Sequence, residues 1–540
     1  MRTSISIPIT SLLFIFVLST TSLANTYYVS PTGSDNNPGT LSQPWKTIQN
    51  ASSILLPGDT VYIRGGTYQE SVRPTRSGQI GNYIIYAAYP GEKVILNINS
   101  GPAVNLRNRD YIIVDGITVE ANGTGLWGAV EQAHFNIIRN NEFRNSSGQS
   151  HGMCVEDATY NKFINNTLYK HGRYGPGGTD SFRLDQSSRY NLIEGNRFEF
   201  GEHSLLRIEG GTYNVVRNNY FQNDWEKNTE INSPGSSVPA YHNVWENNIF
   251  ATTQVAGDGE DSPGIQFSGS NNIVRFNVFY HNQGGGFRLE AYTGSANEAI
   301  YVYDNRIYNN VFYYNQHAGI FINKYHSGTD ISGNIFKNNI VYNNRHEESS
   351  NRPQQVYFYG VMSYLDDNRF LYNNIIYLNP GSDVVGHRNL GDHPLSWWQS
   401  NYPDNFGHNI EVNPQFVNEN NYDFRLRSGS PMIDAGGFLT RTVNSGTGNQ
   451  IHVEDASYFF DGFGIVQGDK VVVGANSPSR INKVSYNGNT ITLETEITWN
   501  SGDPVSLPYS GSAPDIGAYE FNGGGDEIPP GPPQNLRIRE

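Results

Sequence analysis

The stretch "YNLIEGNRF" at residues 190–198 is answered twenty-three residues later by "YNVVRNNYF" at 213–221. Its apolar residues are too sparse for an amphipathic helix and too regular for a loop. Written as Asn, three residues, Asn-Asn, one residue and an apolar residue, the phrase recurs as "NIIRNNEF" from Asn136, "NKFINNTL" from Asn161, "NVWENNIF" from Asn243 and "NIVRFNVF" from Asn272. It returns as "NRIYNNVF" from Asn305 and "NIFKNNIV" from Asn334, with a degenerate ninth copy, "RFLYNNII", from Arg369. The second Asn of the pair falls at Asn141, Asn166, Asn196, Asn219, Asn248, Asn277, Asn310, Asn339 and Asn374, at intervals of 23 to 35 residues. A constant phrase at variable intervals marks a rigid unit that carries loops of different length.

Each copy holds a short alternating run, a bend at Asn-Asn and a second short run, which reads as two strands joined by a tight turn. Asn tolerates the left-handed backbone that such a bend needs, and its amide can bond to the equivalent Asn one coil away. The repeat therefore predicts stacked coils with an internal ladder of asparagines. A leucine-rich solenoid is excluded by the missing Leu pattern.

The pattern resembles the right-handed parallel β-helix of the pectin-lyase-like superfamily over roughly residues 26–435. The opening "YYVSPTGSDNNPGTLSQPWKTIQNA", followed by "LLPGDTVYIRGGTYQE", is similar to the start of many secreted β-helix proteins. There a short helix, here at about Thr47 to Leu56, caps the open edge of the first coil. After "SPMIDAGG" (430–437) the phrase stops, and Gly-Asp and Asn-Gly turn signals between β-rich runs predict a compact antiparallel domain. "SAPDIGAYEF" then resembles the strand that closes such solenoids.

The expected fold is all-β: a right-handed parallel β-helix with an N-terminal capping helix and a small inserted antiparallel β domain near the C-terminus. The expected divisions are a signal peptide at 1–24, the solenoid at 25–437, the inserted domain at 438–510, the closing strand at 511–522 and a Gly/Pro-rich tail at 523–540.

Bulk properties set the environment. Arg2, the apolar run Leu12 to Leu18 and the small-x-small site Ser22-Leu23-Ala24 read as a secretory signal, too short for a membrane span. A secreted protein, extracellular or periplasmic, is expected, with a single cysteine, Cys154, that can form no internal disulfide. The net charge of −15 over 540 residues repels nucleic acid and anionic membranes. A polyanionic partner would need a local basic patch or a bound cation. The expected state is a monomer.

Placing the Asn pair at a turn of each coil puts "GMCVED" from Gly152, "SFRLDQ" from Ser181, "LLRIEG" from Leu205, "TEINS" from Thr229, "GIQFSG" from Gly264, "GFRLEA" from Gly286 and "GIFINK" from Gly319 on one sheet. Alternation then turns Cys154, Arg183, Arg207, Glu230, Gln266, Arg288 and Phe321 outward as one column. Glu156, Asp185, Glu209, Asn232, Ser268, Glu290 and Asn323 form the next. With coils about 4.8 Å apart, Glu156, Asp185 and Glu209 stack as a carboxylate cluster that needs compensation by a hard cation, Ca²⁺, or by guanidinium groups. A surface lattice of salt bridges is the plain structural alternative.

The loops "YKHGRYGPGGTD" and "FGEHS" precede two of these strands and carry Lys170, His171, Arg173, Tyr174, Asp180, Glu202 and His203. These residue types suit β-elimination on a uronic acid chain. A cation or Arg neutralises the carboxylate, the adjacent C–H becomes more acidic, and a basic side chain removes its proton. Arg207, His203, Arg183 and His171 are the catalytic candidates. Arg173, Tyr174, Lys170, Arg288 and Glu290 are the candidates for substrate binding, and Glu156, Asp185 and Glu209 for calcium. The acidic polysaccharide is the expected partner.

"LLRIEGGTYNVVRNNYFQNDWEKNTEINS" is loosely similar to the calcium-ligand strands of the chondroitinase B and alginate lyase family. Ser233 follows "TEIN" where that family's pattern continues with Asn and a basic Lys, and the nearest lysine, Lys227, lies upstream, so the family's base is not carried over. Two other readings stand beside the lyase: hydrolysis by carboxylates drawn from Asp180, Asp185, Glu202 and Glu209, and a non-catalytic carbohydrate-binding or surface solenoid using Phe321, Tyr325, Tyr357 and Tyr359 as stacking platforms.

Overall fold

The computed structural model describes residues 24–146, 150–172, 178–185, 187–232, 240–253, 262–291, 301–324, 329–344, 354–360, 365 and 367–522. The expected signal segment, apart from its last residue, and the tail at 523–540 lie outside them. The chain winds through three columns of strands. The first column holds fourteen, from Thr26–Val29 and Thr60–Ile63 to Arg369–Leu371 and Phe406–Gly407. A second runs from Glu142–Ser146 and Thr167–His171 to Asn374–Ile376. The third runs from Met153–Glu156, Phe182–Leu184, Ser204–Glu209 and Lys227–Asn232 through Pro263–Phe267, Gly285–Ala291 and Ile320–Lys324 to Val356–Gly360 and Val385–His387. Pairing within each column is parallel, and the long strands Val94–Asn105 and Thr118–Glu131 turn the corner between the second and third. This is the right-handed parallel β-helix that the Asn phrase predicts.

The repeat builds more than one ladder. In the Asn pair the first residue takes the left-handed turn, as at Asn140, Asn165, Asn218 and Asn247 with φ of 56°, 54°, 57° and 54°. The second points inward and bonds along the axis. Asn248 Nδ2 donates to Asn277 Oδ1 at 3.0 Å and to the Val216 carbonyl at 2.9 Å, while its own Oδ1 accepts from Asn219. The leading Asn of the phrase forms a parallel ladder, Asn136 to Asn161 to Asn191 and onward to Asn368. The ninth copy is regular once its start is moved: Asn368 and Asn373 take the two ladder positions, whereas Asn374 bonds to Val412. A third, shorter ladder joins Asn282, Asn315 and Asn344. Between the ladders Phe198, Phe221, Phe250, Phe279 and Phe312 stack ring on ring at 4.5 to 5.1 Å.

Both ends are covered. The helix Ile48–Ile54, with Thr47 accepting from the Asn50 N–H as its N-cap, buries Ile48 and Ala51 over the first coil. At the other end the seven-residue helix Leu395–Asn401, which has no strong pattern in sequence, seats Trp398 on Phe406 and donates its indole N–H to the Val385 carbonyl at 2.9 Å.

The insertion forms a six-stranded antiparallel sheet that packs on the outside of the first column, where Leu192, Val215, Val244, Ile273 and Tyr308 share an apolar cluster with Ile451, Val471 and Ile491. Arg275 pins it, reaching Glu246 and Asp469 at 2.6 Å each with its side chain 4% exposed. Residues 511–522, expected as a closing strand, return to the solenoid without regular strand structure. Gly517 N donates to Asn338 O at 2.8 Å, Asn309 Nδ2 donates to Asp515 O and Gly517 O at 3.0 Å, and Ile516 and Ala518 bury beside Val311 and Ile340.

Two substitutions test these supports. Asn248→Ala strands the Asn219 amide groups and the Val216 carbonyl inside the solenoid and is expected to cost about 2–4 kcal/mol in chemical denaturation. An unchanged midpoint would mean that the ladder is filler. Arg275→Met leaves the buried Asp469 carboxylate without a cation and Glu246 with only Arg217 at 3.8 Å, and should cost about 3–5 kcal/mol, while adding Glu246→Gln and Asp469→Leu restores most of the loss. A single variant as stable as wild type refutes the pinning role.

Candidate functional site

Alternation on the third column places its side chains. Met153, Val155, Phe182, Leu184, Leu206 and Ile208 are buried in the core. The register Cys154, Arg183, Arg207, Glu230, Gln266, Arg288, Phe321, Tyr357 therefore runs down the outer face, one residue per coil. The expected outward column is observed, and it carries a dense charge network at the coils of Arg183, Arg207 and Glu230.

The centre of that network is Asp180, fully buried. Its Oδ1 faces His203 Nδ1 at 2.8 Å, and its Oδ2 lies 3.3 Å from His151 Nδ1 and 3.9 Å from the Arg207 guanidinium. Arg183 Nη1 lies 2.7 Å from His151 Nε2, and the Asp180 backbone N–H donates to His151 Nδ1 at 3.0 Å, so the ring is held from both sides. Burial works against the Asp180 carboxylate, but the neighbouring His151, the hydrogen bond with His203 and the charge of Arg207 prevail and hold it ionised, well below the usual range. Burial likewise works against charge on His203; the Asp180 bond and Glu230 outweigh it and raise the imidazole above its ordinary value.

Behind His203 stands Lys227, 5% exposed. Its Nζ lies 3.3 Å from His203 Nε2, 2.9 Å from Glu226 and 3.5 Å from Glu230. Desolvation would neutralise this lysine, but Glu230 and Glu226 raise its pKa and keep it charged. Glu230 is lowered in turn, burial being overcome by Lys227 and Arg207. Asp224 holds the turn, its Oδ1 accepting from the backbone of Glu226 at 2.9 Å and Lys227 at 3.0 Å, while burial pushes it up to about 7.

Of the predicted catalytic residues, Arg183, Arg207 and His203 gather here. His171 does not: it is fully buried with its ring edge-on to Trp127, 5.4 Å away, and burial pulls it down to about 4, a neutral core residue at the second column. Lys170 precedes it on an exposed strand end with φ 58°, on the second column rather than the third. Arg173 and Tyr174 lie outside the described residues, as do Ser233 and Tyr325. Arg288 and Glu290 are spent on each other, Nε to Oε2 at 3.0 Å and both buried, with Asn323 donating to Glu290 at 3.2 Å.

The calcium candidates divide. Glu209 is taken by Arg183 at 2.5 Å and Arg207 at 3.4 Å. Glu156 is left among like charges; local burial, Asp185, Glu131 and Asp157 all raise its pKa. Among the described residues no three His, Cys, Asp or Glu form a group able to hold a metal ion. The donor set fits at most an open two-carboxylate site, Glu156 and Asp185, that a ligand's own oxygens complete.

Sequence reasoning missed His151 and Asp224 and set Lys227 aside as misplaced. Lys227 precedes the alternating run "NTEIN", and only the pairing of Ser204 with Lys227 brings it under His203. His151 stands two residues before the Met153–Glu156 strand, outside its alternation.

Residues 27–202 match the family described as "Pel9A-like, right handed beta helix region", and residues 178–389 match "Right handed beta helix region". The uncharacterized protein YwoF of Bacillus subtilis is 25% identical over 479 residues, covering 75% of this chain and 91% of its own. Pectate lyase PEL9 of Emericella nidulans is 42% identical over 77 residues, 14% of this chain and 19% of its own, and pectate lyase L of Paenibacillus polymyxa is 25% identical over 299 residues, 51% and 62%. The chain thus spans less than two thirds of either pectate lyase. Pectate lyase Pel9A, by crystal structure, superposes with a TM-score of 0.45 at 16% identity over 93% of this chain and 97% of that one. Among the described residues no helix is long and apolar enough to cross a membrane. Two overlapping right-handed β-helix matches laid over three columns of parallel strands make this chain a right-handed parallel β-helix protein.

Proposed function

We propose that the chain is a secreted polysaccharide lyase that cleaves a uronic acid-containing polysaccharide by β-elimination at the coils of Arg183, Arg207 and Glu230. The observation that carries the reading is the pair of half-buried guanidinium groups on successive strands beside a histidine oriented by a buried carboxylate. The sequence relatives named pectate lyases support it.

In this reading Arg183 and Arg207 bind the uronate carboxylate and draw charge from it, which acidifies the adjacent C–H. His203, its Nδ1 fixed by Asp180, accepts the proton at Nε2 after the Lys227 ammonium, 3.3 Å from that nitrogen, gives way to its Glu226 and Glu230 partners. The electron pair of the C–H bond forms the new C=C bond as the bond to the leaving glycosidic oxygen breaks, and that oxygen takes a proton from water. Lys227, held charged by Glu226 and Glu230, keeps positive potential behind the site.

The cluster carries Asp180, Asp185, Glu209, Glu226 and Glu230 against Arg183, Arg207 and Lys227, so an incoming polyanion meets net negative charge. Calcium, held by Glu156 and Asp185, would neutralise that repulsion.

The neutral imidazole is the active form of a base, and its raised pKa moves the rise of activity to higher pH. Initial rates on pectate and alginate, followed near 235 nm where the unsaturated product absorbs, are expected to climb through and above neutrality. Arg207→Ala and His203→Ala should each lower kcat/KM by about 10²–10⁴, with thermal unfolding showing whether the variants remain folded. Chelator should slow the reaction and added calcium restore it; a rate indifferent to both removes calcium from the proposal. No absorbance rise on any uronic acid polymer, together with unchanged reducing ends, refutes the lyase.

A further inference from the structure

Far from the charged groove, an open cleft of about 660 Å³ lies between the inserted domain and the solenoid turns beneath it. Its floor is the left-handed turn position that precedes the leading ladder Asn of each coil. In the earlier coils that position carries rings stacked face to face: Phe135, Tyr160, Tyr190, Tyr213 and His242, 5.0 to 5.3 Å apart. Tyr486 of the inserted domain ends the stack, 4.5 Å from His242. Beyond it the same position carries Asn271, Asp304, Gly333 and Asp367.

A left-handed turn by itself favours Asn, Asp or Gly. It does not account for the opposite wall, which brings Glu454 of the inserted domain over the floor, nor for Arg369 beside it. Arg306 in the same cleft is committed to Asp455 at 2.8 Å. Asp304, Asp367, Glu454 and Arg369 form no ion pair or side-chain hydrogen bond among the described residues. Gly333 leaves room for one of them: a Cβ there would fall 2.5 Å from Asp304 Oδ1.

We propose that this cleft binds a neutral saccharide. Three unpaired carboxylates and one unpaired guanidinium, spread along a furrow, match the alternating acceptors and donors of sugar hydroxyls, and the His242–Tyr486 stack closes one end with an apolar wall. The net negative lining repels a uronate, and His242, which burial holds neutral with its pKa at about 4, adds no positive charge. Clefts at domain interfaces are common ligand sites. The inserted domain then serves to hold the protein on neutral chains of a wall or gum while the groove faces another polymer. The inference stands whether or not the groove performs elimination.

Isothermal titration of the full chain with oligosaccharides of galactan, arabinan, xylan and β-glucan, and with oligogalacturonate and calcium chloride as separate probes, tests it. At least one neutral oligosaccharide should bind, and Arg369→Ala and Asp367→Asn, the latter keeping a residue suited to the left-handed turn, should each weaken it tenfold or more. Both residues lie away from the core and from the groove, so the melting temperature and any absorbance rise on pectate should stay at wild-type values. Binding of none of the neutral sugars, binding indifferent to both variants, or a cleft that takes only calcium or oligogalacturonate would each overturn the proposal.

Discussion

The structure depends on how a solenoid satisfies the amide groups of its own turns. Each coil must bend sharply, and a bend directed inward buries N–H and C=O groups that no strand pairs. The inward asparagines answer this with one side chain, which donates to a carbonyl of the preceding coil and to the next asparagine, and accepts from the one before. Such a chain of hydrogen bonds is cooperative, and its alternative is a column of unpaired amides in a low-dielectric interior. The ladders therefore fix the stacking register of all three columns, while the third side of the coil stays free to vary in length. Because register is fixed, outward residues fall into straight files, and a site can be assembled from single residues on successive coils.

The same rigidity explains the charge network. Parallel strands hold Arg183, Arg207 and Glu230 at one-coil spacing whatever their charges prefer, so compensation must come from side chains that reach across. Asp180 and Lys227 do this from below the face. A buried carboxylate and a buried ammonium are each costly alone; here each is held charged by neighbours on adjacent coils. The inserted domain sits on a different face, docked through Arg275 and an apolar patch, and leaves the groove uncovered among the described residues.

Much of this is legible in the sequence. The Asn phrase, its variable spacing and the alternation of the third-column strands led to the solenoid and to the outward file from Cys154 to Phe321. The errors have local causes. The ninth copy was offset by one residue because "NRFLYNN" has an Asn pair whose first, rather than second, member faces inward. The strand expected at 511–522 is replaced by irregular backbone that bonds to the Asn309 side chain and the Asn338 carbonyl. His171 reads as a loop histidine, but the second column takes it into the core.

What the sequence by itself determined is what depends on periodicity: the coil, an inward asparagine ladder and the two faces of each strand. Periodicity is a local property, since side-chain direction in a strand follows from position alone. Which charges meet was decided by tertiary structure. Loops of unequal length bring residues 180, 203, 207 and 227 to one place, and whether His203 is held by a carboxylate, or Glu209 is free for a cation, depends on distances between coils that no single repeat encodes.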